Sequence, residues 1–579
     1  MKYLAIILVA VLAILLVVFI SWFLNMKANG KCPLCALKKI FIPTKLTIDI
    51  SEDEEYSENK VAQTPPMGWS SWNTFRNNID QDIIMQIAHA MKDSGLANAG
   101  YEFINLDDCW QSSLRDSDGK LQGDLGTFSR GIPKLIKDIN ALGLKVGLYS
   151  SNGTLTCEDL PASLGNERLD AKTIASWGCE FFKYDFCHHD RISGDCPAIE
   201  HIVITKPKSA FEIDLRPEDA EFTGRAKIIK MSDVPSKKAI GFISHGSGSA
   251  SFNFDADEKG EYVLTFVFHK SMAKKKQYMQ IHINGKMYEI FFPETKGFSP
   301  LGRQQIIVEL KEGTNNMTIK NPVATAIDSS YIQYKRMGDA LKEASSMWAK
   351  VTHSEEKPIT YSICEWGMAR PYLWGAKAGS MWRTTPDIAP NWRSITMIYN
   401  RTLKLYKHSG PGHWNDPDML EVGNGKLDDN ENRAHFSLWC MLAAPLMLGN
   451  DIRSFVSNGM PDKDNETLKI VTNKHMIAVD QDSLGKSAKR IKKESGIDII
   501  ARPLSNGDVA LCLFNTASST KSVNFKLDDL TKDPYLGIEE SPSGYELHDL
   551  WTDERSTGTT INATIPKHST VVYRVKPTI

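Results

Sequence analysis

The chain has 579 residues, a formal net charge of −2, 42% hydrophobic residues and 24% charged residues. This length corresponds to two to four domains, and the composition is that of an ordinary globular protein. Because there is no basic excess to neutralise phosphates, nucleic acid is excluded as a principal partner.

The first distinctive segment is apolar. Residues 4–24 carry no charge and are long enough to cross roughly 30 Å of hydrocarbon. A cleaved signal peptide would have a shorter apolar region and a small-residue cleavage site. We therefore predict a transmembrane anchor over residues 1–26, followed by a polar and acidic tether over residues 27–62.

From residue 63 onward, short apolar runs that end in polar residues alternate with amphipathic segments such as "QDIIMQIAHAMKDSG" (81–95). Eight strand–helix units predict a parallel sheet closed into a (β/α)8 TIM barrel. The runs are "MGWSSWN" (67–73), "YEFINLDD" (101–108), "KVGLYS" (145–150), "FFKYDF" (181–186), "ITYSICEW" (359–366), "SMWRTTPD" (380–387), "GHWNDPDM" (412–419) and "APLMLGND" (444–451).

This rhythm breaks over residues 199–335, where strands alternate with turn signals, including "NGK" after "QIHI" as a hairpin signal. We predict a β-sandwich inserted into the barrel, which divides the barrel into residues 63–198 and 336–488. The β-rich region 489–579 predicts a C-terminal antiparallel β-sandwich. Because the insertion follows the fourth strand, we expect it on the rim formed by the strand ends.

Charged and aromatic residues close many of the predicted strands. In TIM barrels the chemistry lies at the carboxyl ends of the strands, and a cluster this large is poorly explained by helix capping alone. No nucleotide-binding or zinc-protease motif is present, so carboxylates with aromatics and without a cofactor or catalytic metal favour glycoside hydrolysis. The strand-end candidates are Trp69, Asp107, Asp108, Lys183, Asp185, Glu365, Trp366, Arg383, Asp387 and Asp418.

Eight motifs in collinear order make the sequence recognisable. They are "PPMGWSSWNTF" (65–75), "INLDDCW" (104–110), "GLYSSNGTLTC" (147–157), "ASWGCEFFKYDFC" (175–187), "YSICEWG" (361–367), "MWRTTPDI" (381–388), "GPGHWNDPDMLEVGNG" (410–425) and "AVDQDSLG" (478–485). The chain resembles the melibiase-type α-galactosidases of glycoside hydrolase family 27. The resemblance implies a retaining enzyme that hydrolyses terminal α-D-galactosyl residues of oligosaccharides or glycans.

The resemblance assigns roles to individual residues. Asp185 matches the nucleophile and Asp387 the general acid/base, with the two carboxyls expected about 5–5.5 Å apart. Lys183 should help to keep Asp185 ionised, whereas Asp387 is expected in a drier setting that lets it hold a proton. The residues that match substrate contacts are Trp69, Asp107, Asp108, Tyr149, Lys183, Cys364, Trp366 and Arg383.

The resemblance also bears on cysteines and on the insertion. Cys157 and Cys187 match the family's disulfide, and Cys109 is expected to be free because its usual partner segment, 73–78, contains no cysteine. The insertion resembles a carbohydrate-binding module of the kind that often carries structural calcium. Glu212 and Glu221 are candidate calcium ligands, although the site as a whole is predicted to need no metal.

Other functions remain open at this point. Within the family these are an α-N-acetylgalactosaminidase, disfavoured by the bulky Trp366, and a β-L-arabinopyranosidase, disfavoured by the paired Asp107 and Asp108. A non-catalytic galactoside-binding membrane protein is the alternative from another class, and a metal-dependent hydrolase built on "HWNDPDM" is a remote third.

The side of the membrane is a further expectation. Lysines after residues 4–24 outnumber the single lysine before them, which favours a cytoplasmic body, but long domains translocate largely regardless of flanking charge. The Cys157–Cys187 pair suits an oxidising exterior. We expect the catalytic part to be extracytoplasmic.

Overall fold

The computed structural model describes residues 20–21, 45–232, 234–270, 276–294 and 300–578. The predicted anchor, apart from residues 20–21, and much of the predicted tether lie outside these residues. Within the described ranges, no helix combines the length and the apolar character needed to cross a bilayer.

The first half of the barrel alternates strands with helices as the sequence predicts. The strands are β1 (Met67–Ser70), β2 (Phe103–Asn105), β3 (Lys145–Ser151) and β4 (Phe181–Asp185), and the helices are α1 (Trp72–Phe75), α2 (Gln81–Asp93), α3 (Ile132–Ala141) and α4 (Glu167–Trp177). Helix α2 begins where the Asp80 carboxylate accepts a hydrogen bond from the backbone N–H of Ile83 at 2.8 Å, which satisfies a donor that the helix leaves unpaired. Its Ile84, Ile87 and Met91 are buried at helical spacing.

The insertion is a two-sheet β-sandwich with its own apolar core. Its strands are β5 (Ile199–Thr205), β6 (Glu212–Leu215), β7 (Glu221–Gly224), β8 (Lys227–Lys230), β9 (Lys238–Gly241), β10 (Gly248–Ala256), β11 (Gly260–His269), β12 (Gln277–Ile283), β13 (Lys286–Phe292), β14 (Leu301–Leu310) and β15 (Gly313–Lys320). One sheet has the order β13-β12-β15-β10-β7 and the other β14-β11-β5-β9-β8, with β6 paired to β5. The predicted "NGK" hairpin is confirmed, with Asn284 and Gly285 both at positive φ.

The second half of the barrel follows. Its helices are α5 (Ala326–Thr352), α6 (Gly375–Ala378), α7 (Trp392–Thr402), α8 (Asp429–Leu442), α9 (Glu466–Val471) and α10 (Lys474–Asp480), and its strands are β16 (Thr360–Ile363), β17 (Met381–Arg383), β18 (Trp414–Asp416) and β19 (Leu446–Leu448). A small hairpin, β20 (Val456–Ser457) with β21 (Met460–Pro461), precedes α9. Short 3-10 helices cover Tyr56–Asn59, Ala97–Ala99, Pro217–Asp219, Pro371–Leu373, Leu403–His408, Ile452–Phe455 and Leu527–Leu530.

The eight barrel strands form one parallel sheet in the order β18-β17-β16-β4-β3-β2-β1-β19. A parallel bridge between Leu420 and Leu448 joins its two ends, so the sheet closes on itself. Its interior contains a layer with Phe103, Phe181, Met381 and Met447, which come from alternate strands, as in other barrels of this type. The predicted TIM barrel is confirmed.

The C-terminal region is an antiparallel sandwich, as predicted. Its strands are β22 (Lys489–Glu494), β23 (Ile497–Pro503), β24 (Val509–Asn515), β25 (Lys521–Lys526), β26 (Tyr545–Asp549), β27 (Arg555–Gly558), β28 (Thr560–Ile565) and β29 (Thr570–Pro577). Six strands pair in the order β22-β23-β24-β29-β26-β27, and β25 pairs with β28. Strands β23, β24 and β29 contact helix α8 of the barrel.

The boundaries of the insertion differ from the prediction. The compact unit covers residues 193–328 together with the described residues 45–48, and α5 begins at Ala326. Thr325 and Asp328 bond each other's backbone N–H groups at this end, which is a capping box that starts the helix earlier than its apolar pattern indicates. The backbone N–H of Ile192 donates to Ser329 Oγ at 2.8 Å, so the barrel chain resumes beside the point where it left off.

The end of the predicted tether belongs to the barrel. The Tyr56 side chain is buried and donates a hydrogen bond to the carbonyl of Ile359 at 2.7 Å. Its ring also packs on Tyr361 at a centroid distance of 5.8 Å. Polar composition alone therefore extended the predicted tether too far, because one buried aromatic fixes this segment.

Candidate active site

The carboxyl ends of five strands carry the predicted charged residues. Asp185 ends β4, Arg383 ends β17, and Asp107 and Asp108 follow β2. The strands approach closely here: a Cβ on Gly147 of β3 would lie 2.1 Å from Asn105 Oδ1 and 2.8 Å from Phe181 Cβ. Glycine at this position therefore lets β2, β3 and β4 present their ends side by side.

Asp185 is buried, with 6% of its surface exposed. Tyr149 donates its hydroxyl to Asp185 Oδ2 at 3.1 Å, and the backbone N–H of Phe186 donates to Asp185 Oδ1 at 2.8 Å. Burial raises the pKa of Asp185 above its usual value, although the nearby Lys183 charge opposes this shift. The carboxylate is thus fixed at both oxygens and costly to ionise.

Lys183 lies two residues before Asp185, on the same side of β4. Its ammonium forms a 2.8 Å ion pair with Asp107 Oδ2 and lies 5.3 Å from the centre of the Tyr149 ring. Burial acts to lower the pKa of Lys183, but the charge of Asp107, its hydrogen bond and the charges of other neighbours, including Asp185, together raise the pKa well above its usual value. Lys183 is therefore a permanent cation beside Asp185.

Asp108 is also buried, and its carboxylate accepts from the backbone N–H groups of Cys109 at 2.8 Å and Glu158 at 3.0 Å. Burial raises the pKa of Asp108 to about 6, against these hydrogen bonds. Asp107 and Asp108 therefore form an acidic pair beside Lys183, held by backbone donors and one cation.

Arg383 joins the other side of the rim. Its Nη2 lies 3.0 Å from Asp387 Oδ1 and 2.8 Å from Asp418 Oδ2, and its Nη1 lies 3.6 Å from Cys364 Sγ. Arg383 is 3% exposed, so both carboxylates meet a cation that water screens poorly. Asp418 also accepts from the backbone N–H of Ile388 at 2.8 Å, which ties down the loop that carries Asp387.

The two proposed catalytic carboxylates differ in their surroundings, in the opposite sense to the prediction for Asp387. The Asp387 side chain is 72% exposed. Its partial burial acts to raise the pKa, but the charge and hydrogen bond of Arg383, together with the charges of Lys183 and Arg76, lower the pKa below the usual value. The expectation of a drier setting for Asp387 is wrong for the free protein, because its loop leaves the carboxylate open to solvent.

The aromatic residues are placed differently from one another. Trp69 is fully buried and its indole N–H donates to the carbonyl of Asn450 at 2.7 Å. In this structure Trp69 therefore packs within the protein and has no face exposed to a ligand. Trp366 is half-buried at φ 58° and packs edge-on against Phe186 at 5.8 Å. Trp366 alone of these two presents surface to a ligand.

The predicted disulfide between Cys157 and Cys187 is confirmed. It lies beside Asp185, since the hydroxyl of Tyr149 contacts both Asp185 Oδ2 at 3.1 Å and Cys157 Sγ at 3.4 Å. Cys109 carries a free thiol, as expected. Of the paired histidines after Asp185, His188 bonds Asp159 at 2.8 Å and His189 stacks on Phe186.

Sequence reasoning undervalued three acidic residues in "HWNDPDMLE". Asp418 shares Arg383 with Asp387, and burial raises the pKa of Asp416 to about 6 and that of Glu421 to about 7. Glu421 accepts from Asn73 Nδ2 at 2.6 Å. The spacing of these acids at a strand end was the available signal, but only the fold shows which of them meets Arg383.

The insertion's candidate calcium ligands are not brought together. Glu212 begins β6 and Glu221 begins β7, on different sheets. Across the described part of the chain, neither belongs to a group of three acidic, histidine or cysteine side chains close enough to share an ion.

Comparison with known proteins agrees with this arrangement. The melibiase family described as alpha galactosidase A matches residues 64–202 and 325–482, and the alpha galactosidase C-terminal β-sandwich domain matches residues 494–575. The matched segments leave out residues 203–324, which lie within the inserted sandwich.

Individual relatives match over most of their length. An alpha-galactosidase of Cyamopsis tetragonoloba is 30% identical over 90% of this chain and 88% of its own. Alpha-galactosidase 2 of Arabidopsis thaliana is 30% identical over 92% of this chain and 96% of its own. The crystal structure of alpha-galactosidase I from Mortierella vinacea is 26% identical, with a TM-score of 0.61 over 90% of this chain and 99% of that one.

Proposed function

The chain belongs to the melibiase-type α-galactosidase family, and we propose that it hydrolyses terminal α-D-galactosyl residues of galactosides with retention at the anomeric carbon. One observation carries this proposal. A buried carboxylate, Asp185, and a solvent-open carboxylate, Asp387, interact electrostatically across a rim that holds two fixed cations, Lys183 and Arg383.

Retaining hydrolysis needs two displacements. In the first, an Asp185 oxygen bonds the anomeric carbon while Asp387 gives its proton to the departing glycosidic oxygen. In the second, Asp387 takes a proton from water, and the water oxygen displaces Asp185 from the sugar. No cofactor is required, because the two carboxyls supply both the nucleophile and the proton.

The first step needs an ionised Asp185 and a protonated Asp387. In the free protein the pKa values oppose this, because the pKa of Asp185 is raised and the pKa of Asp387 is lowered. A bound sugar changes this order. By covering Asp387 it removes water from that carboxylate, and the adjacent negative charge on Asp185 then favours the protonated form of Asp387. Once Asp185 is esterified its charge is lost, so Asp387 releases its proton more readily and acts as a base.

Substrate choice rests on the remaining contacts. Asp107 and Asp108 accept hydroxyl hydrogen bonds, and their pairing suits the 4-OH and 6-OH of galactose. Trp366, with Cys364 and Arg383, faces the 2-position in the family's arrangement, and its bulk leaves room for a hydroxyl better than for an acetamido group. We expect galactosides to be preferred over N-acetylgalactosaminides and over β-L-arabinopyranosides, which lack C6.

A panel of nitrophenyl glycosides tests the proposal. The full chain should release nitrophenol from the α-galactoside with a kcat/KM at least roughly tenfold above those for the α-N-acetylgalactosaminide and the β-L-arabinopyranoside, a discrimination within the range of a single pocket contact. Comparable turnover of either competitor would overturn the assignment of substrate. Binding of galactose without turnover of any glycoside would support a non-catalytic galactoside-binding protein instead.

The inserted sandwich supports a second part of the proposal. Its position in sequence, directly after the strand that carries Asp185, suits a carbohydrate-binding unit that guides longer α-galactosides. Replacing residues 193–328 with a short glycine linker between Ile192 and Ser329 tests this, because these residues already bond each other. Turnover of nitrophenyl α-galactoside should persist while kcat/KM on oligosaccharides falls. Equal ratios for short and long substrates would refute a guiding role.

The location of the enzyme is also a proposal. The uncharged stretch 4–24 and the disulfide beside Asp185 support a catalytic part held outside the membrane by an N-terminal anchor. Impermeant protease added to intact cells should degrade the barrel. Protection of the barrel until the membrane is permeabilised would place it inside.

A further inference from the structure

Three side chains with metal-ligating atoms converge where the barrel meets the C-terminal sandwich, at a place that the proposed hydrolysis does not use. His475 lies in α10, His548 lies in β26, and Asp553 lies in the turn after β26. His548 Nε2 is 2.6 Å from Asp553 Oδ1, and His475 Nε2 is 3.3 Å from the same oxygen. One ligand atom from each residue lies within 4.8 Å of the others.

Hydrogen bonds fix the helix that carries His475. The Asn473 carboxamide oxygen caps α10 by accepting from the backbone N–H groups of His475 and Met476, each at 3.0 Å. The Asn473 amide nitrogen donates to the carbonyl of Leu550 at 3.0 Å. A single side chain therefore positions His475 and joins its helix to the turn of the sandwich.

The turn that carries Asp553 is also held. Asp549 Oδ1 accepts from the backbone N–H of Trp551 at 2.8 Å, and the indole of Trp551 donates to Ser437 Oγ at 3.0 Å. Arg433 lies 5.1 Å from the centre of the Trp551 ring. The carboxylate of Asp553 is 60% exposed, so it can rotate while its backbone stays in place.

The clearest sign of a missing ligand is the unsatisfied nitrogen His475 Nε2. This atom is inaccessible to water and has no hydrogen-bond partner, although Asp553 Oδ1 lies 3.3 Å away. The oxygen is close enough for a hydrogen bond but does not lie along the in-plane direction of Nε2, so this contact leaves Nε2 unsatisfied. A cation between the nitrogen and the oxygen would satisfy both atoms, whereas a buried polar atom is usually paired.

The charges around this cluster act in both directions. The Asp553 carboxylate, 2.6 Å from His548 Nε2 and 3.3 Å from His475 Nε2, attracts a cation to the cluster. Lys474 and Arg555 act electrostatically on His475 and oppose the charge of Asp553. Lys474 and Arg555 also repel a cation, but Arg555 is paired with Glu546 at 2.7 Å, which reduces its effect.

We propose that His475, His548 and Asp553 bind one divalent transition-metal ion of the zinc class, through the two Nε2 atoms and a carboxylate oxygen. Tetrahedral zinc would set its ligands about 3.4 Å apart, which rotation of the exposed Asp553 side chain can reach. Water would complete the coordination. The ion links α10, within the family-matched barrel, to β26 and its turn, within the family-matched sandwich.

Zinc binding to tag-free full chain, after chelator treatment and without reductant, tests the proposal. Equilibrium dialysis against zinc should give one ion per chain at micromolar zinc, and the melting temperature should rise with zinc. His475→Ala and Asp553→Asn should each weaken binding roughly tenfold or more, and His89→Ala, at an exposed histidine of α2, should leave it unchanged. Omitting reductant keeps Cys157 and Cys187 in their disulfide, so that their sulfurs do not compete.

Cobalt gives a second readout. The chelator-treated protein should develop the visible absorption of a tetrahedral cobalt site, and His475→Ala should abolish it while hydrolysis of nitrophenyl α-galactoside stays within twofold of the unaltered chain. Absence of stoichiometric zinc, or zinc and cobalt binding that survives both His475→Ala and Asp553→Asn, would overturn the proposal and leave the cluster as a hydrogen-bonded ion pair.

Discussion

The rim of the barrel and the inserted sandwich use buried space in opposite ways. The rim buries Asp107, Asp108, Asp185, Arg383 and Asp418 within one cluster. The sandwich fills its core with residues such as Ile204, Phe252, Leu264, Phe266 and Ile319, all almost fully buried. Burying a charge destabilises the folded state unless the charge is well paired, whereas burying apolar surface stabilises the folded state.

This difference shows where folding stability is given up for chemistry. At the rim, pKa values raised by burial mark carboxylates that the fold would stabilise better if they were uncharged. The sandwich carries most of its charges at the surface, as in the exposed Lys286–Glu309 pair, where each contributes little either way. The same kind of substitution should therefore have a large effect at the rim and little effect at the surface of the sandwich.

Asp185→Asn should give the largest effect. Loss of the nucleophile should lower kcat/KM on nitrophenyl α-galactoside by roughly 10⁴-fold or more. Because burial raises the pKa of Asp185, its charge opposes folding at neutral pH, so the variant's melting temperature should stay level or rise. The matched change Asp257→Asn, at an exposed site of the sandwich, should alter neither quantity. Retained activity in Asp185→Asn would refute the assignment.

Arg383→Met should damage both activity and stability. It leaves Asp418 buried without its cation and frees Asp387, so the free energy of unfolding should fall by about 3–5 kcal/mol and kcat/KM by roughly 10²-fold. Adding Asp418→Asn should restore stability, measured by denaturant unfolding, without restoring activity. Arg303→Met, at an exposed arginine of the sandwich, is the control. Full activity in the double variant would show that Arg383 acts only through Asp418.

Cys157→Ser should have a moderate effect. Opening a disulfide that closes a separation of 30 residues should lower the free energy of unfolding by about 2–4 kcal/mol. Activity should fall as well, because Tyr149 contacts both the disulfide and Asp185. Cys196→Ser removes a free thiol from the sandwich and should cost less. Equal losses in the two variants would mean that the disulfide adds no constraint.

The smallest effect concerns pH. Burial raises the pKa of Asp108 and Asp416 to about 6, of Glu421 to about 7 and of Glu365 to about 8. Between the unfolded pKa values near 4 and these folded values, the folded chain binds more protons, so stability falls as pH rises. The melting temperature should drop by roughly 2–4 °C from pH 5 to pH 8. Glu365→Gln should flatten the dependence above pH 7, and an unchanged slope would contradict the assignment.

Much of the fold could be predicted from local pattern. Each of the eight predicted runs overlaps an observed barrel strand, because parallel strands buried on both faces form short apolar runs bounded by polar residues. The "NGK" hairpin was legible because a two-residue turn at positive φ demands such residues. Helix α5 began earlier than its apolar pattern predicted, since a capping box at Thr325 and Asp328 sets its start, and that signal was present in the sequence.

The site was harder to predict, because burial and pairing depend on contacts between distant segments. The resemblance identified Asp185 and Asp387, but the sequence does not show that a loop opens Asp387 to water or that Asn450 holds Trp69 in the core. Tyr56 lies in a polar segment whose composition indicated a tether, yet one hydrogen bond to Ile359 fixes it. These outcomes follow from tertiary geometry that no local spacing encodes.

The hydrogen bond from Ile192 to Ser329 has a consequence for the order of folding. The barrel must join β4 to β16 across residues 193–328, and closing so long a flexible chain is entropically expensive and slow. If the sandwich folds first, it brings residues 193 and 328 close together, so the barrel no longer has to close a long flexible loop between β4 and β16. Early folding of the inserted sandwich would then determine the rate at which the barrel closes.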